Sequence, residues 1–248
     1  MKKFLLPLPL VCFALLGAVV LASPAAPGYH LIKKVPLGAA PGGGEYFDYV
    51  TVDSASRRVY LSHGAKVKVL DADNFSVVGA IYDDNEEKND AAVVDTHAFK
   101  IKARWPLAPA GGPVAMAMDR EHRRLFSSAR DPQFLVMTDA DNGKVIQSLP
   151  ISAGVDGSIF EPETGLLYVS TREGNIHIFY EDSPNKLTEA ETVKTESGAK
   201  TMGFDPKTHN LFLTTADFGP APPVPTKENP EAERKPIPGT FRVLIYGR

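Results

Sequence analysis

The sequence predicts an all-β fold built by radial repetition, a β-propeller, and three observations carry that expectation. Four stretches share one pattern: "VDSASRRVYLS", "MDREHRRLFSS", "FEPETGLLYVS" and "FDPKTHNLFLT". Aligned on their acid (Asp53, Asp119, Glu161, Asp205), each has an aromatic seven residues later: Tyr60, Phe126, Tyr168 and Phe212. Nine residues after the acid stands a hydroxyl: Ser62, Ser128, Ser170 and Thr214. Repetition at a fixed period of this length signals an array of supersecondary units.

Each unit reads as four short strands. An apolar, small-residue run precedes the acid ("YVTVD", "VAMAMD", "GSIFE", "TMGFD") and suits a crowded innermost strand. The acid opens a turn, and the aromatic run supplies a second strand. A third run closes on an acidic turn in "KVKVLDADN", "FLVMTDADN" and "IHIFYEDSPN", and a fourth follows in "FSVVGAI", "KVIQSLPI" and "KLTEAETV". Four strands in a unit of about 42 residues is propeller geometry. No window sustains a helical period.

The boundaries follow from the repeat. Residues 46–81, 112–152 and 154–198 are expected to be full blades, and 199–248 the last blade, with a proline-rich loop at 217–240. That last unit lacks an outer strand, which residues 30–37 of "YHLIKKVPLG" would supply, closing the ring through the termini and covering two strand edges. The expected total is four full blades and a partial one. The partial blade is residues 82–111, because Asp53 and Asp119 lie 66 residues apart whereas the next spacings are 42 and 44. Only a third and fourth strand are legible there, and the discontinuity falls near Ile81–Tyr82.

Residues 1–22 read as a secretory signal: Lys2 and Lys3, an uncharged run from Phe4 to Leu21, and the small-residue exit "VLAS". The expectation is a periplasmic or secreted protein with no stable membrane insertion after cleavage; an uncleaved anchor is the rival. The single cysteine, Cys12, lies inside this run, so the mature chain has no disulfide or thiolate. Removing Lys2 and Lys3 from the 27 basic residues leaves 25 against 30 acidic ones, a net charge near −5. That balance argues against a dominant electrostatic grip on nucleic acid.

The units resemble the YVTN-repeat β-propeller family, the YncE-like exported proteins. The resemblance rests on "YVTVDSASRRVYLS", "VKVLDADNFSVVGAI", "GLLYVSTREGNIHIF" and "KTMGFDPKTHNLFLTTADFGPAP" and covers residues 29–248. It implies a propeller of seven blades, which this chain falls short of by about two and a half units. Repeat motifs of this kind indicate fold rather than activity.

A site is expected where the inner strands begin, at the channel mouth. Five residues before the repeat acid stand Asp48, Val114, Asp156 and Lys200, and His63, Arg130, Arg172 and Asp217 follow the second strands. The candidate ligand-binding set is thus Asp48, His63, Arg130, Asp156, Arg172, Lys200 and Asp217, for a small polar or anionic ligand or a protein partner. Charges paired across blades are the alternative use of the same residues. Asp48 and Asp156 are the candidate ligands if a divalent cation binds; otherwise no cofactor is expected. "DADNG" (Asp139–Gly143) reads as a turn, because Pro150 stands where a calcium loop needs its closing carboxylate. The chain contains no GxSxG, HExxH, Walker or dinucleotide motif. The expected function is a non-catalytic exported binding or scaffold module. Alternatives are a metal-dependent lactonase-type hydrolase at the channel mouth and nucleic-acid binding through a local basic patch.

Overall fold

The structure, a computed structural model, describes residues 32–38, 50–63, 66–82, 89–220 and 236–247. Residues 1–22, expected to be a secretory signal, together with Asp48 and most of the proline-rich loop, lie outside the described residues. The chain divides into two units, 1–36 and 37–248. Of the first, residues 32–36 are described and form neither strand nor helix.

The second unit is all-β. The first blade is a four-stranded antiparallel sheet of β1 (Val50–Asp53), β2 (Arg58–His63), β3 (Lys66–Asp71) and β4 (Val77–Tyr82). A two-stranded sheet follows, β5 (Asp90–Asp95) with β6 (Lys100–Pro106). The second blade is β7 (Pro113–Asp119), β8 (Arg124–Ala129), β9 (Phe134–Asp139) and β10 (Val145–Pro150). The third is β11 (Val155–Glu161), β12 (Leu166–Thr171), β13 (Asn175–Ser183) and β14 (Lys186–Lys194). The last sheet has three strands: β15 (Met202–Asp205), β16 (Asn210–Thr215) and β17 (Arg242–Tyr246). These meandering sheets are propeller blades.

The repeat acids perform the local work that their spacing implies. Asp53 Oδ1 accepts hydrogen bonds from the amides of Ala55 and Ser56, and Asp119 Oδ1 from that of Glu121. Asp205 Oδ1 does the same for Lys207. Each carboxylate thereby satisfies turn amides that would otherwise lack partners. The second acidic turn is capped likewise: Asp71, Asp95 and Asp139 accept from Asp73, His97 and Asp141 at 2.8–3.0 Å.

The aromatic at position seven joins one blade to the next. Phe126 on β8 is fully buried, its ring centroid 5.2 Å from that of Phe160 on β11. Tyr168 on β12 is buried 5.7 Å from Phe204 on β15. One apolar cluster accordingly unites Phe126, Leu135 and Met137 of the second blade with Val155, Leu167 and Phe179 of the third. Phe212, in the last sheet, is only half-buried. The hydroxyl at position nine adds a polar latch to the same junction. Ser128 Oγ lies 2.8 Å from Ser158 Oγ on β11, and Ser170 Oγ donates to the Lys200 carbonyl.

The hairpin β5–β6 is held by two aromatics seated on glycines. A Cβ at Gly79 on β4 would lie 2.6 Å from the Phe99 ring. One at Gly143, in the β9–β10 turn, would lie 2.1 Å from Trp105 Cγ, and Gly143 also has φ +77°. Both positions need glycine for the approach, and Gly143 needs it for the backbone as well. The loop beyond β6 is pinned by Asn89, whose carbonyl accepts from Leu107 N at 2.8 Å and whose Oδ1 accepts from Gly112 N at 2.9 Å.

Closure through the termini, expected from residues 30–37, is not found among the described residues. Residues 32–38 form no strand, and the last sheet stops at β17. A four-stranded last blade is therefore corrected to three strands. The consequences are visible on β17, where Phe241, Val243 and Ile245 are more than half, or half, exposed at alternate positions. An apolar cleft of about 370 Å³ opens beside it, lined by Ile178, Ala190 and Val193 of the third blade and by Leu211 and Tyr246.

Replacing Tyr168 by Ala should cost about 3–5 kcal/mol of stability, because a large buried side chain at a junction is deleted. Phe212→Ala should cost less, as that residue is only partly buried; urea unfolding of the two variants measures the difference. The third junction also carries a pH signature. Although Glu161 is buried, which raises its pKa, hydrogen bonds from Thr164, Tyr168 and His209 prevail and hold it below the ordinary value. A carboxyl lowered on folding stabilises above its unfolded pKa, about 4.3, and loses that contribution as pH falls through the lower folded value. Glu161→Gln should therefore flatten the acid limb of a stability-versus-pH curve below about pH 4.5.

Candidate functional site

The inner strands converge on an axial cleft of about 650 Å³, with Thr51 from β1, Val114 and Met116 from β7, Asp156 from β11, and Lys200 and Met202 at β15 in its lining. Two of these side chains reach the cleft because their strands are bulged. The β7–β8 register skips from Pro113 to Ala115, and the β11–β12 register from Val155 to Gly157. Val114 and Asp156 are the extra residues, and a bulge re-aims the side chain it carries. Gly157 completes the device, since a Cβ there would come within 2.8 Å of Ser170 Oγ.

Asp156 is the hub of the polar group. Its Oδ1 accepts from Arg130 Nη2 at 3.2 Å and lies 3.5 Å from Lys200 Nζ; its Oδ2 accepts from Thr201 Oγ1 at 3.1 Å. Arg130 Nε is anchored on the Val155 carbonyl at 2.9 Å. Three blades thus contribute to one cluster. Two cations face a single carboxylate, so the cluster carries a surplus positive charge and suits an incoming anion. The same pairing leaves Asp156 poorly placed as a ligand for a divalent cation, because an added metal would meet Arg130 and Lys200.

The other candidates sit elsewhere. His63 is buried at the end of β2, opposite Lys66. Arg172 is half-buried, with its amide donating to Gly154 O at 2.8 Å and its Cβ packed over that glycine. Asp217 accepts from Arg242 Nη2 at 2.9 Å, and Arg242 also reaches Glu196; these contacts tie the start of the proline-rich loop to the strand after it. None of the three lines the axial cleft. Asp48 lies outside the described residues. Thr201 was not foreseen, as nothing in the repeat marks the residue after Lys200.

A second polar line escaped sequence reading because its members come from one loop and two separate strands. Ser152 Oγ is 2.9 Å from His177 Nε2, and His177 Nδ1 is 2.7 Å from Glu189 Oε1. Asn175 Nδ2 donates to the same hydroxyl at 2.8 Å, and the Ser152 amide donates to His177 Nε2 at 3.0 Å. Glu189 is held below the ordinary glutamate value: burial raises it, but hydrogen bonds from Thr192 and His177 outweigh this. The order serine, histidine, carboxylate is that of a nucleophile, base and orienting group. The backbone amide, however, occupies the lone pair that a general base would need.

Comparison with known proteins speaks to the fold. No protein-family model matches the chain, and no curated protein sequence matches it. Solved structures do. A chain of a mitotic checkpoint complex is 12% identical with a TM-score of 0.56, the match covering 63% of this chain and 55% of that one. Kuenenia stuttgartiensis hydrazine synthase is 13% identical with a TM-score of 0.40, over 69% of this chain and 42% of that one. The chain spans about half the length of the structures it matches. At such identity the likeness shows fold alone, and the fold is a β-propeller.

Proposed function

We propose that this protein is an exported, non-catalytic propeller of YVTN-repeat type that binds a small anionic ligand in its axial cleft. The observation that carries the reading is the Arg130–Asp156–Lys200–Thr201 cluster, which brings two cations and one carboxylate to bulged inner strands of a propeller. Export rests on the basic head, apolar run and small-residue exit of residues 1–22. Asp156 acts as the internal anion that keeps Arg130 and Lys200 preorganised, and the unmatched charge is available to the ligand. Calorimetric titration with inorganic phosphate and with citrate tests this, using spermidine as a cationic control. The expected result is anion binding that weakens with salt and falls at least about tenfold in Arg130→Ala and Lys200→Ala. Spermidine binding, or anion binding unchanged in both variants, would overturn it.

A second reading rests on the Ser152–His177–Glu189 line, which is the order of an acyl-transfer site. If the line is only a fastening for the 151–154 loop, a fluorophosphonate probe leaves Ser152 unmodified. Labelling of Ser152 that His177→Ala abolishes would assign an esterase-type activity instead.

A further inference from the structure

The repeat places an acid at the end of each inner strand and another at the end of each third strand, and both ordinarily cap their own turns. In the third blade this arrangement breaks down. Register puts Tyr180 opposite Leu166, where Asp71 and Asp139 stand opposite Arg58 and Arg124; Glu181 comes one residue later, and β13 runs on to Ser183 through a register shift, so there is no turn at Glu181 to cap. Its side chain is nine-tenths buried, and Oε1 has no hydrogen-bond partner. A carboxylate left in that state costs free energy unless a proton or a cation joins it.

What it faces comes from the second blade. Asp119, almost fully buried, and His122 form with Glu181 a group whose ligand atoms all lie within 4.8 Å of one another. His122 Nδ1 is 2.6 Å from Asp119 Oδ2 and 3.9 Å from Glu181 Oε2. Here too the second blade departs from its neighbours. Three residues after their acids, the first and last blades carry Ser56 and Thr208, whose hydroxyls bond the acid at 2.6 and 2.7 Å; the second blade carries an imidazole. Asp119 is oriented by the amides of Glu121 and His122. Arg124 is the neighbouring cation, and its guanidinium is committed to Pro184 O, Asp139 and Asn185. Burial, and then the Asp119 charge, push the Glu181 carboxyl up to about 7, the behaviour of two acids confined together.

We propose that Asp119, His122 and Glu181 bind one first-row divalent cation, of which Zn²⁺ is the reference ion, at the junction of the second and third blades. Two carboxylate oxygens and one imidazole nitrogen are a borderline ligand set that suits such an ion. Bonds of about 2.0–2.1 Å in tetrahedral array put ligand atoms about 3.3 Å apart, so the group needs only side-chain adjustment. The imidazole side is 42% exposed, which leaves an entry path and room for a water as fourth ligand. Calcium, which takes six to eight oxygens, is poorly served.

The test uses the full mature chain stripped with EDTA and titrated calorimetrically with ZnCl₂, with CaCl₂ and MgCl₂ for comparison. One zinc per chain is expected, with a rise in Tm and, on Co²⁺ substitution, visible d–d absorption. His122→Ser, which restores the hydroxyl of the sister blades, should lower zinc affinity at least about tenfold and abolish the cobalt bands. Glu181→Gln should also lose zinc binding, yet without metal be no less stable than the parent, since it removes the buried charge beside Asp119. His209→Ser, outside the site, should bind as the parent does. Should His122→Ser fail to fold, Glu181→Gln decides. No zinc uptake would overturn the proposal, and so would uptake unchanged in Glu181→Gln, which means an adventitious ion only.

Discussion

A four-stranded sheet has two faces and no second layer of its own, so each blade must find its core in its neighbours. In the second and third blades the structure meets this need with one residue each: the aromatic on the second strand, laid across the next blade's inner strand. Phe126 against Phe160 and Tyr168 against Phe204 are two instances of that contact. The remainder of the junction is arranged about it. The serine two residues later ties the same pair of strands by a hydrogen bond, and the turn acid fixes the angle at which the second strand departs. Dispersion and hydrophobic burial supply the attraction, while the polar bonds set register.

The inner strands can crowd the axis because the junctions are well packed. The axis is also where the backbone departs from regular pairing. The bulges at Val114 and Asp156 lift one residue out of each ladder and turn it towards the cleft. Single strands thereby do two jobs: the alternating residues hold the blade, and the extra residue borders the cleft, Val114 packing at the same time against the core. The charge cluster at the mouth spans three blades, so its geometry is only as firm as the two junctions beneath it.

Most of the architecture was legible in the sequence because a repeat samples the same physics several times. The acid-to-aromatic spacing of seven and the acid-to-hydroxyl spacing of nine identified strand, turn and strand in each unit, and all three full blades follow them. Asp156, Lys200 and Arg130 were legible as convergent for the same reason. Features that belong to one copy alone were not. The run-on of β13 past Glu181, the Ser152–His177–Glu189 line and the contact of Thr201 with Asp156 depend on local register, which spacing does not encode. The fourth strand expected for the last sheet is not found among the described residues, because likeness between "YHLIKKVPLG" and "FKIKARWPLA" indicates what could pair, not what does. His63, Arg172 and Asp217 do not line the axial cleft: His63 is buried at the end of β2, Arg172 has its Cβ over Gly154, and Asp217 pairs with Arg242.

The aromatic contact has a direction. At the two joints that follow the second and third blades, a blade lends its ring to the blade after it, so these joints overlap like courses of roof tiles with the same edge uppermost. Such an arrangement has two unlike ends. At the leading end Val52 of β1 is more than half exposed, and at the trailing end the Phe212 ring is partly exposed. Polarity of this kind gives an array a sense of growth: a unit added behind the last sheet would find an adhesive surface ready, and a unit added in front would have to bring its own.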